Sequence, residues 1–487
     1  MKIIFAVCIV CLACSLYSAD LVQVKEHNLN NGLRVLFVED HNTPLVVCRL
    51  YYKVGSVCEN IGKTGLSHML EHMMFKGTKK VGVSDFAKEQ AYTPAIDSLF
   101  LLADAARDQD DTVHMALYKK EAEALVEKQR QCIKNNELWS LYQKEGGTNL
   151  NAYTSNLMTA YIVTLPSNKI ELFMWLESDR MANPVMREFY TERDVVMEER
   201  RLRYENSPYG RYYESLDAMI YEAHPYRIPT IGYMSDLLHL TRTDAFNHFK
   251  TYYVPNNAII VFVGDVREDK LMAMVEKYFG PVAPGSTPIK NLVTVDPDPV
   301  GQRRLVVKKD VAPVVDIIFK TPALGHPDIY TMDVIEGVLN KESGRLYKRL
   351  VNEQKMATNV SAGNYVTKYI STFQIHVSLK NGVSHGAAEK IVLAELEKLK
   401  KEPISVRELE KVKNTVTAAE INGLRSNEGL ADRLAYYEVC GSWKLINEFA
   451  DNVKKVTRDQ VREAAKKYFS ETNMVVGAVA NTPGARQ

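Results

Sequence analysis

Cysteine is scarce in this sequence, with seven in 487 residues. Cys8, Cys11 and Cys14 crowd into the first fourteen positions, which leaves Cys48, Cys58, Cys132 and Cys440 for the rest of the chain. Four scattered thiols exclude a disulfide-stapled scaffold and a cysteine-built zinc site, so any metal must be held by histidine and carboxylate. An excess of one charge is missing too. Sixty-one Lys and Arg stand against 60 Asp and Glu, a net charge of +1, so the basic surplus that grips a phosphate backbone is absent and nucleic acid is not an expected partner. Long hydrophobic runs are lacking as well. The apolar run at residues 3–13, behind Lys2, is too short for a stable membrane span. With the small residues after it, it reads as a signal peptide over 1–19, cleaved after Ser15 or Ala19, and predicts an exported protein, periplasmic or secreted. Cys14, after Leu12 and Ala13, is an alternative point for lipid attachment.

What is present is a globular composition, 46% hydrophobic and 25% charged, enough for two or more domains. It also contains a repeat. The stretch "LTRTDAFNHFKTYYVPNNAIIVFVGDV" from Leu240 resembles "VTRDQVREAAKKYFSETNMVVGAVANT" from Val456, with Thr241, Arg242, Tyr252 and Asn257 matching Thr457, Arg458, Tyr468 and Asn473 at one offset of 216. Each copy reads as amphipathic helix, turn and apolar strand. Between the copies, residues 279–301 hold five prolines, the mark of a linker. Strand-like runs open both halves, "GLRVLFVED" and "PLVVCRLYYKVGS" in the first, "RRLVVKKD" and "APVVDIIFKTPA" in the second. The expected fold class is therefore α+β: two homologous α/β halves, each a mainly antiparallel sheet with packed helices, at 20–280 and 301–487, joined by a Pro-rich linker at 281–300. A helical hairpin at about 91–136, striped by Ile96, Leu99, Phe100 and Ala103 and then by Tyr118, Ala122 and Leu125, is expected to lie outside the core of the first half, as structural packing or as a lid or docking surface.

Chemistry concentrates in "TGLSHMLEHMMFKGT", residues 64–78. On a helix His68 and His72 stand one turn apart on one face, and Glu71 points near the same place. The neighbours Leu66, Met69, Leu70, Met73, Met74 and Phe75 are apolar, so the segment should be buried and its polar groups must find partners. Two imidazoles at this spacing suit zinc, and a third protein ligand with an open fourth position would make the site catalytic. The order H-x-x-E-H inverts the commoner zinc-protease motif. For the third ligand, "YTERDVVMEERRLRYENSP" offers several carboxylates on a helix. Residues 192, 195, 196, 199 and 202 share one face, so Glu192 and Glu199 are expected to point inward with Val195, Val196 and Leu202, while Glu198 meets solvent or an arginine. Glu199 then completes the metal set with Glu192 supporting it. The alternative is an internal ion pair with an arginine at 193, 200, 201 or 203.

These residues resemble the pitrilysin and insulinase group of zinc metallopeptidases, in its processing-peptidase-like branch. The resemblance rests on "HMLEHMMFKGT", "GGTNLNAYTSNLMTAYIV", "LESDRM" and "ERDVVMEERR" and runs over most of the mature chain. It implies His68, His72 and Glu199 as ligands of one Zn2+ per chain, Glu71 as general base and Glu192 as supporting carboxylate. It also implies that Asn151, Ala152, Tyr153 and Thr154 form a sheet edge that pairs with substrate backbone. The activity implied is metalloendopeptidase action on extended or unfolded peptides. Glu199 lies 127 positions after His72, farther than is usual in the family, and the hairpin block accounts for the difference. A second departure concerns an arginine and a tyrosine that such enzymes supply from the second half, where Val351 and Thr358 stand here. The expected partner is therefore a related, zinc-less subunit carrying that Arg/Tyr pair, in a heterodimer. A self-sufficient homodimer and a non-catalytic structural or assembly subunit of the same fold are the alternatives.

Overall fold

A computed structural model describes residues 21–289 and 291–482. The signal expected at 1–19, with Cys14, lies outside the described residues. Among the described residues eleven strands form two sheets. In the first half β1 (Lys25–Asn28), β2 (Arg34–Glu39), β3 (Leu45–Tyr52), β4 (Thr148–Thr154), β5 (Thr159–Pro166) and β6 (Ala258–Gly264) run in the order β1-β2-β6-β3-β5-β4. In the second half β7 (Arg303–Lys309), β8 (Val314–Thr321), β9 (Ala357–Tyr365), β10 (Ser371–Leu379) and β11 (Met474–Asn481) run β7-β11-β8-β10-β9. Apart from the extra β1 the two orders are the same. Each sheet has one parallel pair, β2 with β6 and β7 with β11, and is otherwise antiparallel. The α+β expectation with two alike halves holds.

The duplicated residues do duplicate work. Helices Arg242–Tyr252 and Arg458–Tyr468 both begin with a capping box, Thr241 with Asp244 and Thr457 with Gln460, which satisfies two otherwise orphaned donors at each start. Asn257 Nδ2 donates to the carbonyls of Tyr252 and Lys53, and Asn473 Nδ2 to those of Tyr468 and Lys320. Each amide thus ties the end of a helix to the strand across the sheet.

Seven helices of the first half matter for the site: α1 (Leu66–Met74), α2 (Phe86–Asp108), α3 (Thr112–Arg130), α4 (Glu137–Lys144), α5 (Ile170–Ala182), α6 (Phe189–Arg200) and α7 (Gly210–Ile220). Alternate residues of β3 serve different cores. Val46, Cys48, Leu50 and Tyr52 face the helices of their own half, while Val47 and Tyr51 join a second cluster shared with β8 and β11. That shared core is closed by an exchange of helices. Helix α7 lies on the second sheet, where Tyr212 Oη donates to Asp316 at 2.6 Å and a Cβ on Gly477 would meet that hydroxyl at 2.4 Å. Helix Asn427–Cys440 lies on the first sheet, where Asp432 accepts from Arg49 and Tyr51, each at 3.1 Å.

The hairpin differs from its expectation in extent and in burial. It comprises α2 and α3, beginning at Phe86 and ending at Arg130. Ile96, Phe100, Ala122 and Val126 belong to the core of the first half instead of lying outside it. The reason is α6, whose Tyr190 stacks on Phe100 with centroids 4.4 Å apart and whose Arg193 reaches Asp104 at 2.7 Å. Arg187, just before α6, pairs with Glu89. A partner that distant in sequence does not show in the hairpin's own stripe.

Candidate metal centre

Helix α1 is held at its start by features that the H-x-x-E-H pattern does not include. Gly65 adopts φ +91°, and a Cβ there would meet the Ile231 carbonyl at 2.5 Å, so only glycine fits. The buried Glu59 carboxylate accepts from the Gly65 and Ser67 amides, both at 2.7 Å, where an acceptor meets the exposed donors of the first turn. Burial pushes Glu59 up to about 7, against those two amide bonds. Six further α1 residues besides His68 are buried, which fixes where the imidazoles point.

The imidazoles converge. His68 and His72 have ring centroids 4.8 Å apart, and their Nε2 atoms lie 3.7 and 3.4 Å from Glu199 Oε2 on α6. Among the described residues these three form the one cluster whose donor atoms all lie within 4.8 Å of one another. His72 Nδ1 meets Glu192 Oε1 at 2.9 Å, which settles the tautomer and turns Nε2 toward the cluster. Two imidazole nitrogens and one carboxylate oxygen with an open side form the donor set of a catalytic zinc, so these residues fit that ion.

Helix α6 presents its glutamates differently from the stripe expected. Val195 is 47% exposed and Leu202 61%, so neither points inward with Val196. The buried face carries Phe189, Tyr190, Arg193, Val196, Met197 and Arg200. The two arginines are accommodated because Asp104 and Glu214 neutralise them, a possibility that a search for apolar residues discards. Glu192 and Glu199 flank this face, half-buried, toward α1. Glu198 is exposed and meets Arg201. Of the four arginines considered as ion-pair partners, Arg203 reaches Glu199, at 2.6 Å through Oε1. Its side chain is 62% exposed, so the pair is weak, and Oε2 stays with the imidazoles.

Electrostatics separate the two histidines. Burial, with His72 beside it, pushes His68 down to about 4. For His72 burial works against protonation, but the Glu192 and Glu199 carboxylates outweigh it and hold the imidazole up at about 9. Glu192 in turn is drawn down to about 2, because His72 and Lys76 overcome its burial. Lys76, whose Nζ is 2.6 Å from Glu192 Oε2, was not singled out from sequence. Its position four residues after His72 is the signal that could have found it.

Glu71 stands beside the sheet edge. Strand β4 is the last in its sheet, with a register irregularity between Thr148 and Asn151 and Asn149 at φ +52°. Along it Asn151 is exposed, Ala152 buried, and Tyr153 and Thr154 half-buried. Asn151 Oδ1 accepts from the Ala152 amide, and Thr154 Oγ1 donates to Glu71 Oε2 at 2.6 Å. That last bond joins the strand end to the carboxylate, a contact no sequence spacing announces. Burial raises the Glu71 carboxyl, opposed by the Thr154 hydroxyl and His72, which moves it toward the range of a general base. In the second half Val351 packs on its own core, and Thr358, exposed on β9, donates to the Ser378 carbonyl. The helix Asp328–Leu339, which follows β8 as α1 follows β3, contains no histidine.

The sequence model described as insulinase (peptidase family M16) matches residues 34–138 and 123–232, and that of the peptidase M16 inactive domain matches 239–416. The zinc protease PqqE of Helicobacter pylori is 28% identical over 482 residues, 96% of this chain and 95% of that protein. A mitochondrial-processing peptidase subunit beta from Lentinula edodes is 19% identical over 94% of this chain and 90% of its own length. The crystal structure of a protease from Helicobacter pylori superposes with a TM-score of 0.79 at 27% identity, covering 94% of this chain and 99% of that one.

Proposed function

We propose that this chain, which belongs to the insulinase family of peptidases (family M16), is an exported zinc metalloendopeptidase acting on extended peptides. The observation that carries this reading is the meeting of His68, His72 and Glu199 with Glu71 beside an open sheet edge. The chemistry the ion supplies when bound is Lewis acidity, which polarises a peptide carbonyl and eases deprotonation of the attacking water. The chain's own residues do the rest. Glu192 orients His72, and Thr154 occupies Glu71 Oε2, leaving Oε1 to take the water proton and pass it to the leaving amine. The backbone of β4 offers unpaired groups with which a substrate strand can pair, which selects unfolded segments. Export rests on the signal-like composition of residues 1–19. Val351 and Thr358 supply neither the cation nor the phenol that the resemblance implies, which supports a heterodimer with a related zinc-less subunit over a homodimer.

The test is Glu71→Gln. The variant keeps the ligand set, so stoichiometric zinc by metal analysis with loss of most turnover is expected. Turnover of an unfolded peptide at the unaltered rate by the zinc-loaded variant would overturn the mechanism. His72→Ala, by contrast, is expected to lose the metal.

A further inference from the structure

The duplication leaves two homologous crevices. The helix Val406–Gly423 stands where α6 stands, shifted by the repeat offset, and Asp328–Leu339 is the counterpart of α1. Between these two helices the second half holds a cavity of about 520 Å³. Its lining includes three carboxylates, Asp333, Glu336 and Glu420, with Asn364 and the rings of Tyr330 and Phe449.

Two acceptors in this cavity have no donor, Asn364 Oδ1 and Glu420 Oε1. Asn364 donates from its backbone amide to Glu336 Oε2 at 2.9 Å and from Nδ2 to Asp333 Oδ1 at 2.8 Å. Nδ2 also faces the Ile329 carbonyl at 3.5 Å; these two acceptors around one atom, the Asp333 carboxylate and the carbonyl, set the amide orientation, and Oδ1, buried, meets no partner. Glu420 is 7% exposed; its Oε2 accepts from Arg433 at 2.6 Å, and its Oε1 is buried without a partner. Two unmatched buried acceptors beside two further carboxylates call for a group that donates several hydrogen bonds and carries positive charge. The cations already near do not fill that role. Arg433 is committed to Glu420, and Lys341 and Lys411 are exposed. Burial pushes Asp333 up to about 7 and raises Glu336 and Glu420 as well, as expected of carboxylates without enough positive charge beside them.

A single metal ion does not fit. Among the described residues the cluster able to hold an ion is that of His68, His72 and Glu199, and the oxygens of Asp333, Glu336 and Glu420 form no such cluster. A ligand with separated donors and an apolar stem fits both the spread acceptors and the aromatic wall. Arg433 shows the contact, with its guanidinium 6.0 Å from the Tyr437 ring centroid. We propose that this cavity is a binding site for an organic cation, a primary ammonium or guanidinium on a hydrocarbon stem, supplied either as a small free amine or as the basic side chain of a peptide.

The site is separate from the zinc cluster and independent of the proposed hydrolysis, so it is tested by calorimetry on the intact protein. The probes are agmatine with 1-pentanol as its neutral comparator, and a capped pentapeptide with one central lysine against its norleucine version. Binding of agmatine or of the lysine peptide, with the neutral comparators failing, supports the site, and which of the two binds assigns the source. Asp333→Asn with Glu420→Gln is expected to weaken that binding about tenfold or more, while His72→Ala leaves it unchanged. Unfolding midpoints like that of the native chain show that the variants are folded, and Glu420→Gln alone, which retains an acceptor for Arg433, guards against loss of fold in the double variant. Equal affinity for pentanol, binding by calcium ion alone, no binding of either cation at millimolar concentration, or native affinity in the folded double variant would each overturn the proposal.

Discussion

At the scale of single residues, the site depends on how protons are distributed over two histidines of identical type. His68 is neutral at pH 7 and His72 is charged: burial and the neighbouring His72 outweigh Glu199 at His68, whereas hydrogen bonds to both Glu192 and Glu199 outweigh burial at His72. A metal takes neutral imidazole, so it must displace the His72 proton. Zinc loading at pH 7 is therefore expected to release close to one proton, and affinity to rise with pH until about 9 and flatten above it. Titration calorimetry in buffers of different ionisation enthalpy measures this; release of no proton would contradict it. Without metal the sign for stability is the reverse. The folded value of about 9 exceeds the unfolded 6.5, so the stabilisation is full below pH 6.5 and is lost as pH rises through about 9. Glu192→Gln removes the charge that holds His72 in place, and zinc affinity is expected to fall about 10- to 100-fold with less proton released. Unchanged affinity in a chelator competition would remove Glu192 from its supporting role.

At the scale of elements, α1 was legible because its histidine spacing and its apolar neighbours agree with each other. Helix α6 was legible only in part. Its pattern marks the carboxylates but not the inward stripe, since Val195 and Leu202 are exposed and the buried positions include Arg193 and Arg200. Apolar periodicity marks a helix face correctly only when burial is apolar, and here paired charges are buried. Strand β4 makes its own prediction. It is the edge of its sheet, so substrate affinity should come from backbone hydrogen bonds that alternate along an extended peptide. N-methylation of successive amides around the cleaved bond is expected to weaken binding at every second position. A flat response across all positions, read from inhibition constants, would count against strand addition.

At the scale of the whole molecule, the two halves are built into one another. Helix α7 covers the second sheet and Asn427–Cys440 covers the first, so neither sheet has both faces buried without the other half. The second half lends packing but no metal ligand, and Val351 and Thr358 lend neither charge nor phenol. An oxyanion donor is typically worth about 3 kcal/mol, or 10²-fold or more in rate. The isolated chain is accordingly expected to hold zinc and cleave an unfolded peptide slowly, with a gain of about that size when a related subunit supplies the pair. Peptide hydrolysis by the partner-free chain as fast as by the mixture would favour the homodimer.

The sequence by itself determined the duplication, the strands that open both halves, the helix-turn-strand unit repeated in each, and the His68, Glu71, His72 arrangement, because these are properties of local periodicity and of spacing within one turn. Tertiary structure decided what spans the chain. It brought Glu199 to His72, joined Thr154 to Glu71, buried Arg193 against Asp104, drew the hairpin into the core, and placed Glu420 beside Asp333 in the second crevice. Each of these contacts joins side chains from separate elements. Their pairing follows from how the sheets and helices pack together, a quantity that no window of the sequence contains.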